Sequence, residues 1–384
     1  MVFYKTHSIR EIEIFYCGGM RMISNKYILV INPGSTSTKI AIYLDNKCIS
    51  TENISHDTKI IKKFAHIVQQ KDMRTEEIYN WLKAKGINLK EVAAVVGRGG
   101  LLRPMPGGTY KITYKMLDDL VVGYQGQHAS NLGGIIAFEI AEKLGIPSYI
   151  VDPVAVDEVE EVTRISGLPE MPRRSLVHAL NIKAVVRKYC EETGLEYDKS
   201  KFVVAHIGGG ITISPVSGGR ILDCNNANHD GPFSPQRTGG LPSGDLVSMS
   251  YSGDYTQGEL NNKITREGGL LAYLDTDDGR IISKRIDEGD KKAEFIFKAM
   301  AYQISKEIGA MATALKGKVD AVILTGGMAY NEKIINWINE NVNFIGKVKI
   351  IPGENEMQAL AEGAQRVLNG EEIPKIYEEK VVIK

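Results

Sequence analysis

The sequence predicts an α/β protein built from two similar halves that face each other across a cleft. Three observations lead there. Tyr27 to Tyr43 reads as strand, tight polar turn, strand, with Ile28, Val30, Ile40 and Ile42 as β-formers around Asn32-Pro33-Gly34-Ser35-Thr36-Ser37-Thr38-Lys39. Lys201 to Val216 repeats the device around Gly208-Gly209-Gly210. The chain has 384 residues, too many for one ordinary core, and its 39 glycines cluster in short loops between strands, as backbone-lined ligand sites do.

Taken in order, Lys47–Glu52 is a third strand and Thr58–Lys85 is helical. Val92–Val96 is a buried strand that ends in Gly97-Arg98-Gly99-Gly100, and Tyr110–Thr113 is a short strand in a Pro/Gly-rich loop. Leu132, Ile135, Ile136, Ile140 and Leu144 recur at helical spacing until Gly145-Ile146-Pro147 stops them. Ser148–Val151 is a strand ending at Asp152-Pro153. Gly167–Pro172 resembles a linker, with a helix expected from near Arg173. In the second half, Arg220–Asp223 is a third strand. Ile296, Met300, Ile304, Ile308, Met311 and Leu315 mark a long amphipathic helix. Asp320–Thr325 is a buried strand running into Gly326-Gly327, Lys347–Ile351 is the last core strand, and Asn355–Leu368 is a closing helix.

Composition narrows the function. Formal net charge is zero, so there is no general electrostatic case for nucleic acid or an acidic membrane surface. Apolar residues make up 43% and charged residues 24%, a globular balance, and no apolar run approaches a membrane span. Cys17, Cys48, Cys190 and Cys224 form no CxxC pair, which argues against a zinc site or disulfide framework and fits a cytoplasmic location. Residues 1–21 match neither a signal peptide nor a clean strand. Met20 and Met22 are alternative starts, and the segment is expected to be dispensable for activity.

The first turn gathers backbone N–H groups, hydroxyls and one lysine, which suits a phosphate. The same residues also populate ordinary hairpin turns for local backbone reasons. A second such turn in the other half favours a polyphosphate gripped from both sides.

The series Asn32 to Lys39, then His206-Ile207-Gly208-Gly209-Gly210, then Leu324-Thr325-Gly326-Gly327 resembles the two phosphate motifs and the adenosine motif of the actin/Hsp70/sugar-kinase superfamily. Within it the chain is similar to the acetokinase family, most closely its butyrate kinases. Gly97 to Gly108 and Arg173-Arg174-Ser175-Leu176-Val177-His178 are the more specific markers. The resemblance runs from about Lys26 to the C-terminus. It implies duplicated ribonuclease H-like (actin-like ATPase) domains around a nucleotide cleft. Residues 22–152 with 357–384 would form one, residues 153–356 the other, and 1–21 an extension. It also implies ATP/ADP and Mg²⁺ as cofactors, a short-chain carboxylate as acceptor, and a homodimer or higher homo-oligomer.

The site residues follow from the same resemblance. Asn32 would point at the phosphoryl group in transit, with Ser35, Ser37 and Lys39 holding phosphates or each other. Arg98 would bind the carboxylate or phosphoryl oxygens, and Arg237 would stabilise the transferring group. Removing a buried charge of that kind should cost roughly 3–7 kcal/mol of barrier. His178 would donate to an equatorial oxygen. Read from its apolar neighbours Leu176, Val177 and Leu180 alone, it is rather a core helix histidine satisfied by a neighbour. His206 would orient the second turn or touch phosphate. Gly208, Gly209 and Gly210 would act through backbone N–H groups, because acetate kinases carry Asn where this chain has Gly209. Asp278 would touch ribose or base and Arg280 would stack on adenine, while Gly326 and Gly327 let the backbone approach the nucleoside. Asp152 and Glu356 match magnesium-associated positions, although Glu356 also reads as an acidic residue complementing a helix N-terminus. The family histidine near residue 128 falls on His128 or, one position earlier, on Gln127, with Asn131 close by.

Gly99 and Gly100 replace bulkier acetate-kinase residues after Arg98, which suggests room for a longer or branched acid. At about 0.8 kcal/mol per buried methylene, discrimination between neighbouring acids should be modest. The alternatives are an acetate or propionate kinase of the same family, a sugar-type kinase using Asp152 as base, and an actin-like ATPase. Arg98 and Arg237 suit an anionic acceptor better than a hydroxyl.

Overall fold

The computed structural model describes residues 27–382, so the expectation for residues 1–21 lies outside the described residues. Two sheets carry the architecture. The first contains β1 (Tyr27–Pro33), β2 (Ser37–Leu44), β3 (Lys47–Ser55), β4 (Val92–Arg98), β5 (Thr109–Lys111), β6 (Ser148–Val151) and, from far down the chain, β12 (Lys375–Ile376). The second contains β7 (Lys201–Ile207), β8 (Ile211–Ser217), β9 (Arg220–Ile221), β10 (Ala321–Gly326) and β11 (Lys347–Pro352).

Their topologies match. In the first, β3-β2-β1 is an antiparallel meander, and β4 and β6 then add parallel to β1. In the second, β9-β8-β7 is the meander, with β10 and β11 parallel beyond it. This is the duplication anticipated from the two hairpins. β5 and β12 extend only the first sheet.

Strand alternation sorts each sheet into two apolar faces. Leu29, Ile31, Ile40 and Ile42 pack under helices 71–84 and 131–144. Ile28, Val30, Ala41 and Tyr43 pack the other way, against Met357, Leu360, Ala361 and Ala364 of helix Glu356–Leu368. Leu180, on helix Ala179–Thr193, joins that same cluster. The next residues of its helix, Ile182, Val185 and Val186, pack on Phe202 and Val204 of β7. The two helices therefore form a shared layer between the sheets. On the far side of the second sheet, helix Lys291–Ala314 buries Phe297, Met300, Ile304, Ile308 and Met311 with helix Glu332–Val342.

One local expectation shifts. The helix expected from near Arg173 begins at Ala179, with His178 as its N-cap residue. Arg173 holds the preceding segment extended by donating to the Thr163 carbonyl, Asp223 and the Cys224 carbonyl. The stretch between β9 and the long helix forms four short helices, Ser243–Ser250, Gln257–Thr265, Gly269–Leu274 and Gly279–Asp287. Among the described residues, no helix is long and apolar enough to cross a membrane.

Candidate active site

The strand ends of the two sheets meet where the sequence places its glycine turns. Asn32 sits near the end of β1, opposite Lys39 on β2, and Arg98 closes β4. Glu356 opens the helix that follows β11. These three make direct contact. Asn32 Nδ2 donates to Glu356 Oε2 at 2.8 Å, and Arg98 Nη2 lies 3.2 Å from Glu356 Oε1. Arg98 is buried at 7% exposure and its Nη1 also reaches the Asp152 carbonyl at 3.4 Å. The Arg98 charge, with help from Asn32, holds the Glu356 carboxyl below the usual range despite its burial. A cavity of about 420 Å³ opens here, lined by Asn32, Lys39, Arg98, His128, Ser130 and Glu356.

His128 is thus on the cavity wall, its Nδ1 bonded to Ser130 Oγ at 2.8 Å. Gln127 turns away and donates to the Val121 and Val122 carbonyls. Asn131 is buried and caps Leu101 N from its Oδ1.

On the opposite side, His178 and His206 stack face to face, 3.9 Å between centroids and 10° from parallel. Asn181 fixes the second ring. Its Nδ2 donates to the carbonyls of Gly353 and Glu354, so its Oδ1 must accept from His206 Nδ1 at 2.9 Å. His206 Nε2 is left as a buried acceptor without a hydrogen bond, 3.6 Å from Glu354 Oε1. Thr212 Oγ1 sits 2.8 Å from His178 Nδ1. Burial, then the charges of His206, Arg237 and Arg98, push His178 well below the ordinary histidine range. Burial also takes His206 to about 4. Glu354 moves the other way, raised by burial and then by Glu356.

Arg237 is tied to the second glycine turn. Ser234 Oγ donates to the Gly209 carbonyl at 2.6 Å and accepts from Arg237 N at 3.1 Å. The Arg237 guanidinium donates to the Ala227 carbonyl, and burial lowers its pKa. A Cβ on Gly210 would lie 2.3 Å from Arg237 Nη1, whereas one on Gly209 would meet nothing within 4 Å. A Cβ on Gly208 would sit 3.1 Å from His206 Nε2.

A separate group lies at the end of β10. Gly326, at φ 90°, packs so closely on β7 that a Cβ would fall 2.4 Å from the Ile207 carbonyl oxygen. Gly327 begins the turn that leads to Asn331, whose side chain donates to the Gly279 carbonyl. This brings Asp278 and Arg280 beside Gly326-Gly327. They pair with each other, Arg280 Nη2 to Asp278 Oδ2 at 2.6 Å, and the Asp278 carboxyl falls to about 2 through the Arg280 hydrogen bonds. Ser35 lies in the first turn and Ser37 and Lys39 in the opening of β2, with Gly34 N donating to the Ser37 carbonyl at 2.7 Å.

Asp152 meets this gathering only through its carbonyl, which Arg98 reaches. Its carboxylate accepts from Gly108 N at 2.6 Å, and an added Cβ on Gly107 would lie within 3 Å of both Asp152 Oδ1 and Lys183 Nζ. Lys183 in turn pairs with Glu158 at 2.8 Å. Nor do Gly99 and Gly100 leave space for substrate. An added Cβ would lie 2.5 Å from Pro153 Cβ in the first case and 2.1 Å from Asn131 Oδ1 in the second. Any room for a longer acid has another source. Sequence reasoning passed over Asn181, Thr212, Ser234, Glu354 and Arg74, all supports of named site residues.

Paired glycine turns, a cavity of about 420 Å³ walled by Arg98 and His128, and the neutral His178–His206 stack near Arg237 fit a phosphotransferase of the actin-like ATPase fold. A family model for the acetokinase family matches residues 171–375. The chain is 53% identical over 350 residues to "Probable butyrate kinase 2" of Caldanaerobacter subterraneus subsp. tengcongensis, covering 91% of this chain and 99% of that protein. It is 50% identical over 351 residues to "Butyrate kinase 2" of Clostridium acetobutylicum, with the same two coverages, 91% and 99%. Acetate kinase of Porphyromonas gingivalis superposes with a TM-score of 0.73 at 20% identity, covering 89% of this chain and 100% of that one. A propionate kinase of Francisella tularensis subsp. tularensis gives 0.69 at 18%, covering 88% and 98%. The chain belongs to the acetokinase family.

Proposed function

We propose that this protein transfers the γ-phosphoryl group of ATP, reversibly, to butyrate or a branched short-chain fatty acid, giving an acyl phosphate and ADP. The observation that carries the reading is the buried Arg98 on the wall of a cavity of about 420 Å³, beside Asn32 and Glu356. The choice of acid rests on relatives named butyrate kinases.

The acceptor carboxylate is already ionised near neutrality, so its oxygen attacks phosphorus with no proton to remove. The bond to the β–γ bridging oxygen breaks and ADP leaves. Such a displacement asks for alignment and charge neutralisation rather than a general base. Arg98 and Arg237 supply charge. Neutral His178, in the tautomer whose Nδ1 accepts from the Thr212 hydroxyl 2.8 Å away, would present Nε2–H to an equatorial oxygen. Asn32 aligns the group in transit. The Gly208–Gly210 turn and the Ser35–Ser37 turn hold the phosphates, and Gly326, Gly327, Asp278 and Arg280 take the nucleoside. His206 supports the second turn.

Magnesium would neutralise charge on the nucleotide oxygens. Glu356 faces the cleft, but Arg98 and Asn32 engage both its oxygens. Asp152 is committed to Gly108. This donor set suits an ion that arrives on the nucleotide with phosphate and water as its main ligands. A homodimer is supported by Phe295 and Tyr302, exposed at 71% and 59% on helix 291–314. The division into 22–152 with 357–384 and 153–356 is supported by the return of helix 356–368 and β12 to the first sheet.

Hydroxylamine trapping of acyl phosphate tests the reaction, and kcat/KM over acetate, propionate, butyrate, isobutyrate and valerate tests the acid. Turnover is expected to favour butyrate and isobutyrate. A clear acetate optimum refutes the choice of acid, and ATP hydrolysis with no trapped acyl group refutes the reaction.

A further inference from the structure

Arg74 is the largest fully buried side chain among the described residues, at 0% exposure, and it forms no ion pair there. It rises from helix Lys71–Ala84 directly behind the first phosphate turn. Every donor direction of its guanidinium used in the fold ends on oxygen. Nη1 donates to the Ser37 carbonyl at 2.8 Å and to Thr38 Oγ1 at 2.9 Å. Nη2 donates to the Ser35 carbonyl at 3.3 Å, and Nη2 and Nε share Gln70 Oε1 at 2.8 and 3.2 Å. The Thr38 hydroxyl, accepting from Arg74, is in turn 2.8 Å from His56 Nε2. Burial lowers the guanidinium pKa to about 10, with the Glu77 charge opposing.

A buried cation with no carboxylate in direct contact, its nearest acidic influence being Glu77 beyond Thr38 and His56, is expensive to keep, and core packing gives no reason to retain one. Its contacts suggest the reason. A trans peptide is planar, so its carbonyl and N–H point in opposite directions. Pulling the Ser35 carbonyl back toward Arg74 therefore turns the Thr36 N–H outward, away from the arginine. The guanidinium also polarises the peptides it binds, which makes their outward N–H groups better donors. Its positive charge is then felt through one thickness of backbone, where little water screens it.

We propose that Arg74 is a positioning residue for the nucleotide phosphates: it sets the Ser35–Ser37 peptides from behind and supplies the charge against which a phosphate docks. This rests on the reading of the cleft as an ATP site. Arg74 touches no phosphate itself.

The test uses the full-length protein and four forms: wild type, Arg74→Lys, Arg74→Gln and Arg74→Ala. ADP affinity is measured by calorimetry, KM for ATP and for butyrate by steady-state kinetics, and folding by urea titration. In any variant that retains a cooperative urea transition, ADP affinity falls at least tenfold and KM for ATP rises in parallel. KM for butyrate moves less than twofold. Arg74→Lys keeps the charge but loses the fork, and falls between wild type and Arg74→Gln. Methylguanidinium at millimolar concentration restores part of the ADP affinity of Arg74→Ala. Variants that lose urea stability while keeping wild-type ADP affinity and KM overturn the proposal and leave the proposed function standing. An equal rise in both KM values, without rescue, also overturns it. A wild-type protein that does not bind ADP overturns both readings together.

Discussion

Glu356 is the residue on which the cleft's electrostatics converge, and Glu356→Gln isolates its charge. The substitution keeps the volume and an oxygen for Asn32, 2.8 Å away, but removes the counter-charge 3.2 Å from Arg98. At an effective dielectric of about 20, a unit pair at that separation attracts by roughly 5 kcal/mol. Desolvation of the carboxylate returns part of this. Arg98, 7% exposed, would be left with the Asp152 carbonyl at 3.4 Å. Breaking a buried pair from one side costs about 3–5 kcal/mol, and the 25% exposure of Glu356 points to the lower end, about 3 kcal/mol. The assay is urea unfolding of wild type and Glu356→Gln at several pH values. The sign is fixed by the direction of the shift. A depressed carboxyl contributes stability above its unfolded pKa and loses it as pH falls through its folded pKa. The gap between the two proteins should therefore be full near pH 7 and close below the ordinary carboxylate range. Equal stability at pH 7, or a gap that does not close in acid, would refute the reasoning.

Three further outcomes follow from the same geometry. His206, held neutral with a pKa of about 4 against an ordinary 6.5, makes the fold lose up to roughly 3 kcal/mol as pH drops from 6.5 to 4. His206→Asn should flatten that part of the urea-midpoint profile, and an unchanged slope would count against it. Gly210→Ala should push aside the Arg237 guanidinium and lower kcat about a hundredfold or more, while Gly209→Ala leaves the urea midpoint within error of wild type. Tyr377→Phe removes a buried hydroxyl that donates to Asp119 at 2.9 Å and accepts from Arg103 N at 3.1 Å. It should cost about 2 kcal/mol by urea titration, and a loss under 0.5 kcal/mol would show that water replaces the hydroxyl.

Much of the duplicated fold was legible, because hairpins and buried strands announce themselves through period-two patterns and glycine. The residues that touch one another across the cleft were legible too, but only through ordered motifs. Their supports were harder to see. Arg74 looks like a surface cation in a charged helix until its phase is compared with Ile78, Trp81 and Leu82, the buried positions four, seven and eight residues on. That phase is a usable signal. Asn181 and Thr212 gave none, since their value lies in which histidine nitrogen they engage. The glycines after Arg98 misled for a related reason. A missing side chain marks a close approach as readily as an open pocket, and here Pro153 and Asn131 fill the space.

The helix that begins at Glu356 also carries Leu360 and Ala364 onto Ile28 and Val30, strands laid down more than three hundred residues earlier in the chain. During synthesis, then, the first sheet must wait with one apolar face bare and Arg98 without its carboxylate until this late segment emerges. A chain cut before this segment keeps that apolar face open to water and Arg98 unpaired, and is therefore adhesive. A cell would clear such a fragment as a client of its chaperones and proteases rather than tolerate it as a half-working enzyme.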